Sequence, residues 1–171
     1  MKSAIEKAKK EIKKRETKGD AKKVGIGAVK YAILKNGNNK IIQFNLEDAL
    51  NFEGDTGPYL LYSYARASSI LRKAKTKNKD KKIKLISEKE FELVKKLSQF
   101  PEIVLSAYKT LNPSVIANYS YQLAQTFNEF YHTCPVINSE NEKLRLELVK
   151  SFRIVLKNSL NLLGIETLEE M

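Results

Sequence analysis

Apolar residues recur at steps of three and four along the second half of this chain, and this spacing strongly constrains its fold. The two stripes consist of Ile116, Tyr119, Leu123, Phe127 and Phe130, and of Leu144, Leu148, Phe152, Val155, Leu156, Leu160 and Leu163. Because this period places side chains on one face of a helix, it predicts two long amphipathic helices that share a core. Gly164 is the predicted C-terminal stop of the second helix.

Helix start signals in the same half of the chain favour an all-α bundle. The signals are Ser87 with Glu90, Ser139 with Glu142, and Asn112 with Pro113. The first two pairs have the spacing of a capping box, in which the hydroxyl and the carboxylate each accept a backbone N–H. The third pair fits an N-cap asparagine followed by a proline at the first helical position.

The N-terminal part of the chain has weaker signals, which predict a small helical or mixed segment in front of the bundle. Residues 3–16 and 20–32 are predicted helices, separated by a turn at 35–40 from a short predicted strand at 41–44. A brief helix is predicted over residues 45–51. The helix at 3–16 has little apolar surface, so we expect its packing partner to lie outside this chain.

An acidic, glycine-punctuated loop, Phe52-Glu53-Gly54-Asp55-Thr56-Gly57, runs into a helix predicted from Pro58 to Lys73. At about 100° per residue, this helix has two distinct sides. One side carries Tyr59, Tyr62, Arg66 and Lys73, and the other carries Leu60, Leu61, Tyr64, Ser68 and Leu71. Aromatic rings and a guanidinium on one face suit the stacking of unpaired RNA bases. The alternative is a tyrosine-rich helix that packs on both sides within a bundle.

The chain has a net charge of +11, and this charge is concentrated in two segments. Residues 1–23 carry ten basic and four acidic side chains, and residues 72–84 carry eight basic side chains and one acidic. Dense positive charge attracts polyanions, so Lys73, Lys75 and Lys77 are predicted phosphate contacts. The alternative is a lysine-rich surface that is only solvated.

The cysteine count and the hydropathy pattern bear on the cellular setting. A single cysteine, Cys134, excludes an internal disulfide and is interpreted as a buried structural thiol. No apolar run is long enough to span a bilayer, and no apolar segment follows the lysine-rich N-terminus. We therefore expect a cytoplasmic protein that makes no membrane contact.

Five blocks, in order along the chain, resemble the C-terminal end of a class I arginyl-tRNA synthetase. The blocks are Val24–Tyr31, Phe52–Tyr62, Leu123–Tyr131, Leu162–Ile165 and the terminal Met171. The resemblance implies an all-α helical bundle of the DALR anticodon-binding type. It also implies that residues 1–45 are the end of a connecting, stem-contact segment and that residues 46–171 are the anticodon-binding domain.

The same resemblance implies roles for individual residues. Tyr59, Tyr62 and Arg66 would contact the anticodon stem and loop, and the loop at residues 52–57 would reshape the anticodon loop. Tyr131 and Met171 would help to read the central cytosine of arginine anticodons. The residues alone favour a core tyrosine beside Phe130 for Tyr131 and a frayed terminus for Met171.

The catalytic signatures of class I synthetases are absent from this sequence. It contains one histidine, His132, so a His-x-Gly-His segment cannot be present, and it has no Lys-Met-Ser-Lys-Ser-like loop. Gly25-x-Gly27 lies in a predicted helix and lacks the context of a phosphate-binding loop. We therefore predict no catalytic, cofactor or metal site in this chain, and His132 is interpreted as solvated or capping. ATP and Mg²⁺ would belong to the full-length enzyme.

These observations leave three functional hypotheses. The first is recognition of the anticodon arm of arginine tRNA by a monomeric chain that works with the catalytic domain of an arginine–tRNA ligase. The second is a free-standing tRNA-binding factor that acts in trans with a partner enzyme. The third is a structural helical bundle whose basic segments meet acidic proteins or membrane surfaces.

Overall fold

The computed structural model describes residues 1–14, 19–74 and 87–171, and these residues form α-helices without any strand. The helices are α1 (Lys2–Lys14), α2 (Ala21–Leu34), α3 (Leu46–Ala49), α4 (Gly57–Lys73), α5 (Glu88–Ser98), α6 (Phe100–Thr110), α7 (Ser114–Thr133) and α8 (Glu142–Leu162). The predicted all-α fold is confirmed. None of the helices in the described ranges is both long enough and apolar enough to cross a membrane.

Most of the predicted helix boundaries are confirmed by their hydrogen bonds. The Ser87 hydroxyl accepts the Glu90 N–H at 3.2 Å, and the Glu90 carboxylate accepts the Ser87 N–H at 3.2 Å, which completes the capping box. Asn112 accepts the N–H of Ser114 at the start of α7. These bonds satisfy backbone donors that have no partner within the helix.

The end of α8 has the predicted glycine stop. Gly164 has a φ of +65°, a left-handed conformation that glycine adopts at little cost. The Gly164 N–H donates to the Asn161 carbonyl, and the Ile165 N–H donates to the Leu160 carbonyl, as in a Schellman motif. The chain therefore turns back after α8, which brings residues 165–171 against the bundle.

Two local predictions are wrong. Residues 41–44 form no strand, and no other strand lies among the described residues to pair with them. The Ser139–Glu142 capping box does not form either: the Glu142 carboxylate accepts the Asn138 N–H, and the Ser139 hydroxyl donates to the Val136 carbonyl. Asn138 has a φ of +62°, so the chain turns before Ser139 can cap the helix.

The core lies where α4, α7 and α8 meet. Phe127 and Phe152 are fully buried and stack with ring centroids 3.8 Å apart. Both predicted apolar stripes face this core, although Leu144 and Val155 are only partly buried. The predicted core side of α4 is also confirmed for Leu60, Leu61, Tyr64 and Ser68, while Leu71 lies at its edge. Cys134 is buried, as expected.

Helix α1 packs on α2, so the expectation that its partner lies outside the chain is wrong. Ala4, Ala8 and Ile12 are buried. A Cβ atom on Gly25 of α2 would lie 3.0 Å from the Ala4 backbone, so the two helices approach closely at this glycine. The short apolar stripe of α1 is sufficient to pack this helix on α2, because small residues at the contact let the two helices approach closely. The predicted boundary at residue 45, between the connecting segment and the anticodon-binding domain, stays a prediction.

A second close approach joins α2 to α4. A Cβ atom on Gly57 would lie 2.7 Å from the carbonyl oxygen of Gly27, closer than real contacts allow. Only a residue without a side chain lets α4 begin at this point. The glycines of the two sequence blocks therefore fix where α4 starts, and with it the direction in which Tyr62 and Arg66 point.

Candidate nucleic-acid interface

The guanidinium of Arg66 lies between two tyrosine rings at the surface of the bundle. Its central carbon is 4.8 Å from the centroid of the Tyr62 ring and 5.5 Å from that of Tyr131. Tyr62 is 36% exposed and Tyr131 is 37% exposed, so both side chains remain accessible to solvent. Tyr62 and Arg66 come from α4 and Tyr131 comes from α7, so the packing of these helices assembles the group, which we call the Arg66 sandwich.

Asn128 on α7 holds the Arg66 sandwich in place through hydrogen bonds. Its side-chain oxygen accepts a hydrogen bond from Arg66 at 2.8 Å. Its amide nitrogen donates to the Tyr59 hydroxyl at 2.8 Å and to the Ser63 hydroxyl at 3.1 Å. Asn128 is only 9% exposed, so these bonds act in a poorly solvated environment where they hold geometry well. The sequence analysis missed this residue, although a polar side chain between Phe127 and Phe130 was a usable signal.

The Arg66 sandwich forms one wall of a cleft of about 750 Å³, which we call the Met171 cleft. Tyr62, Arg66, Lys73, Tyr131 and Met171, all predicted RNA contacts, line this cleft together with His132. The volume falls within the range of roughly 300–1,000 Å³ that is typical of small-molecule sites. Five of the predicted site residues, from distant parts of the sequence, thus share one concave surface.

Met171 reaches this cleft because the preceding residues are fastened to the bundle. Leu168 is buried. Arg72 donates to the Glu169 carbonyl at 2.9 Å and pairs with the Glu170 carboxylate at 3.4 Å. Met171 itself is partly buried against the core and is therefore not a frayed terminus.

The Glu169 side chain makes a further anchor for this segment. Tyr64 donates its hydroxyl to the carboxylate at 3.0 Å, and Arg153 pairs with it at 3.4 Å. Burial alone would raise the pKa of Glu169, but nearby hydroxyl groups, including that of Tyr64, and the charge of Arg153 outweigh it and lower the pKa. The carboxylate therefore stays ionised, and the anchor persists, at neutral pH.

A second cleft of about 540 Å³ is also lined by Tyr62 and Arg66, and we call it the Glu53 cleft. It is lined by Phe52, Glu53, Tyr59, Tyr62, Arg66, Asn128 and His132. His132 is exposed, which agrees with its interpretation as a solvated residue. It also lines both clefts, which that interpretation did not include. Tyr59 is half-buried, with its ring 5.6 Å from that of Tyr121 in an edge-on contact.

The loop that carries Glu53 is fixed at several points. The Tyr31 hydroxyl donates to the Asp55 carboxylate at 2.5 Å, and Lys35 pairs with the same carboxylate at 3.2 Å. The Thr56 hydroxyl donates to the Asn51 carbonyl at 2.5 Å. Burial, followed by the neighbouring Asp55 carboxylate, raises the pKa of Tyr31. Tyr31 therefore remains a proton donor, and the loop keeps its shape at neutral pH.

Comparisons with known proteins identify the family. The family model described as the DALR anticodon binding domain matches residues 60–171. The chain belongs to this family. The arginine–tRNA ligase of Clostridium acetobutylicum is 47% identical over 155 residues, which cover 88% of this chain and 28% of the ligase. That of Pyrococcus furiosus is 45% identical over an alignment of 181 positions, which covers 99% of this chain and 29% of the ligase.

Solved structures of arginyl-tRNA synthetases contain the same fold as this DALR chain. Thermus thermophilus arginyl-tRNA synthetase superposes with a TM-score of 0.92 and 35% identity, covering 99% of this chain and 31% of the synthetase. The Plasmodium falciparum enzyme superposes with a TM-score of 0.90 and 32% identity, covering 99% of this chain and 32% of the enzyme. The chain thus corresponds to the C-terminal part of arginyl-tRNA synthetases, and it spans less than a third of the length of these relatives.

Not all of the predicted contacts of the DALR chain belong to the described residues. Lys73 is exposed at the edge of the Met171 cleft. Lys75 and Lys77 lie outside the described residues, so their predicted phosphate contacts stay predictions. The sequence analysis also missed Arg72 and Glu169, which hold other residues in place and have no spacing that a sequence pattern would reveal.

Proposed function

We propose that this chain recognises the anticodon arm of arginine tRNA as part of an arginine–tRNA ligase. The observation that carries the proposal is the Arg66 sandwich on the wall of the Met171 cleft. Exposed aromatic rings that flank a guanidinium offer stacking planes and a positive charge in one place, which suits single-stranded RNA. Membership of the DALR family supports the same conclusion.

Arg66 is charged without a carboxylate partner among the described residues, and its hydrogen bond to Asn128 uses only part of its donor capacity. In a protein surface rich in ion pairs, a guanidinium held in place and left without an acidic partner is available to an anionic or carbonyl-bearing ligand. Phosphate oxygens and base carbonyls both fit this description. The rings of Tyr62 and Tyr131 would keep the guanidinium plane in position before RNA arrives.

Within this proposal, Tyr131 and Met171 read the central cytosine of the anticodon. Both line the Met171 cleft, where an aromatic face and a polarizable thioether could enclose a flipped base. The Phe127 ring stacks with that of Tyr131, with centroids 6.5 Å apart and planes 19° apart, and would keep Tyr131 in position at the cleft. The anchored segment at Glu169 would set the distance between the two reading residues.

We further propose that the chain works in the cytoplasm as a monomer, together with the catalytic domain of the ligase. The grip on the anticodon arm would orient the acceptor end of the tRNA toward that domain, which would hold ATP and Mg²⁺. This chain spans less than a third of the length of its relatives, so a full-length ligase has room for such a domain.

Replacing Tyr131 by alanine is expected to weaken binding of the RNA with the central cytosine about tenfold, because base–aromatic stacking contributes about 1–3 kcal/mol. An RNA with another central base should lose less, because in this proposal the Met171 cleft seats only cytosine against the ring, so discrimination falls. Deleting Met171 is expected to have a similar effect in the same direction. Filter binding with wild-type arginine tRNA and with a transcript whose central anticodon base is changed measures this discrimination. If Tyr131→Ala weakened binding of both RNAs equally, Tyr131 would not read that base.

Replacing Lys73 by alanine is expected to weaken binding of all tRNAs by a similar factor, because a phosphate contact carries no sequence information. The slope of log affinity against log salt concentration should fall by about one unit. Lys109→Ala is the matched control, since Lys109 is exposed on α6 and lines neither cleft. An unchanged salt slope in Lys73→Ala would remove Lys73 from the RNA contacts.

A further inference from the structure

We propose that the Glu53 cleft is a second nucleotide subsite and that Glu53 makes it selective for guanine. This inference rests on the proposed function, because it assigns a neighbouring base of the same RNA loop to the second cleft. The two clefts share Tyr62, Arg66 and His132, so a strand that places one base in the Met171 cleft passes the Glu53 cleft within a nucleotide or two.

The surfaces of the Glu53 cleft suit a planar ligand. Its volume of about 540 Å³ accommodates a base with its sugar. Tyr62 and Arg66, whose ring centroid and guanidinium carbon lie 4.8 Å apart, supply an aromatic ring and a guanidinium to its lining. Asn128 and Tyr59 form a fixed polar wall, because their side chains are hydrogen-bonded to each other at 2.8 Å.

Glu53 supplies the selectivity. Its backbone N–H donates to Asn51 at 3.0 Å, while its carboxylate makes no hydrogen bond or ion pair with the described residues. A carboxylate has two oxygens and, when ionised, only accepts hydrogen bonds. The Watson–Crick edge of guanine presents two adjacent donors, N1–H and the 2-amino group, which match these two oxygens.

The other bases match the carboxylate less well. Cytosine and adenine each place one amino donor beside a ring nitrogen that accepts, and uracil places one N–H between two carbonyl oxygens. Each would bring an acceptor against an oxygen of Glu53 and would leave one charged oxygen without a donor, which is costly in a partly desolvated cleft. A good bidentate pair discriminates between bases by a factor of about ten or more.

The shape of the loop gives Glu53 a fixed position. Gly54 has a φ of +78°, and Asp55 is bound to Tyr31 and Lys35 on α2. Residue 53 is therefore attached on its C-terminal side to the core of the bundle. Because the loop backbone is already fixed, a base that binds Glu53 has only this side chain to order, which limits the entropy lost on binding.

The test is a double-mutant cycle between Glu53→Gln and a single chemical group of the RNA. Anticodon-arm hairpins are prepared with each base in turn at every loop position, and guanine is then replaced by inosine, which lacks the 2-amino group. We expect wild-type protein to prefer guanine over inosine about tenfold at one loop position, and Glu53→Gln to remove this preference. Glu102→Gln, which makes the same charge change at an exposed site on α6, should retain it.

The outcomes separate this inference from the function on which it rests. If wild-type protein binds anticodon hairpins better than unrelated hairpins but shows no guanine preference that depends on Glu53, the subsite assignment is overturned and the proposed function stands. If wild-type protein does not distinguish anticodon hairpins from unrelated ones, both fail. Loss of the guanine preference in Glu53→Gln alone supports the subsite. Because Glu53 is exposed, this variant should fold normally.

Discussion

Replacing Arg66 by alanine is expected to weaken binding of the anticodon arm about 30-fold or more, the largest effect of any single change in the two clefts. The substitution removes the positive charge, the plane between Tyr62 and Tyr131, and the partner of Asn128. Central arginine and aromatic residues commonly contribute about 2 kcal/mol or more to an interface. Filter binding of arginine tRNA at fixed salt measures the loss directly.

Arg66→Lys separates charge from geometry. Lysine keeps the positive charge but cannot stack as a plane between the two rings or bind Asn128 in the same way. We expect it to recover less than half of the lost binding free energy. If Arg66→Lys bound RNA as well as wild-type protein does, charge alone would account for the contribution of Arg66, and the sandwich would have no part in recognition.

A comparison of sequence and structure shows which parts of this site a pattern can reveal. The two faces of α4 follow from helix geometry, and the outward position of Tyr62 and Arg66 agrees with it. The sandwich could not be obtained in this way, because Tyr131 joins Arg66 only through the packing of α7 on α4. The residues alone favour a core position for Tyr131, whereas the structure leaves it 37% exposed.

The errors in the predicted fold also have physical causes. Ile41 and Ile42 have high β-propensity, but a strand needs a neighbour for its backbone hydrogen bonds, and propensity alone cannot supply one. Ile41 is instead 98% exposed. Two of the three buried residues of α1, Ala4 and Ala8, are small, and a sequence pattern does not reveal that Gly25 allows this helix to pack closely on α2. Both errors arise from tertiary contacts that a local pattern does not contain.

The position of Tyr131 depends on the core beneath it. Phe127 lies one turn earlier on α7, and its ring is between those of Phe152 and Tyr131, at centroid distances of 3.8 and 6.5 Å. Phe127 thus connects the centre of the bundle to the floor of the proposed RNA site. A change at this position should affect stability first, and RNA binding only as a consequence.

Replacing Phe127 by alanine is expected to lower the free energy of unfolding by about 3–5 kcal/mol, since it removes a fully buried ring and leaves a cavity against Phe152. Such a loss is a large fraction of the roughly 5–15 kcal/mol that stabilises a typical domain. Urea denaturation followed by circular dichroism measures it. Phe91→Ala is the matched control: the same atoms are removed from a ring that is 58% exposed on α5, and the loss should stay below about 1 kcal/mol. Equal losses in the two variants would show that the stacked pair is not the centre of the core, and the support proposed for Tyr131 would lose its basis.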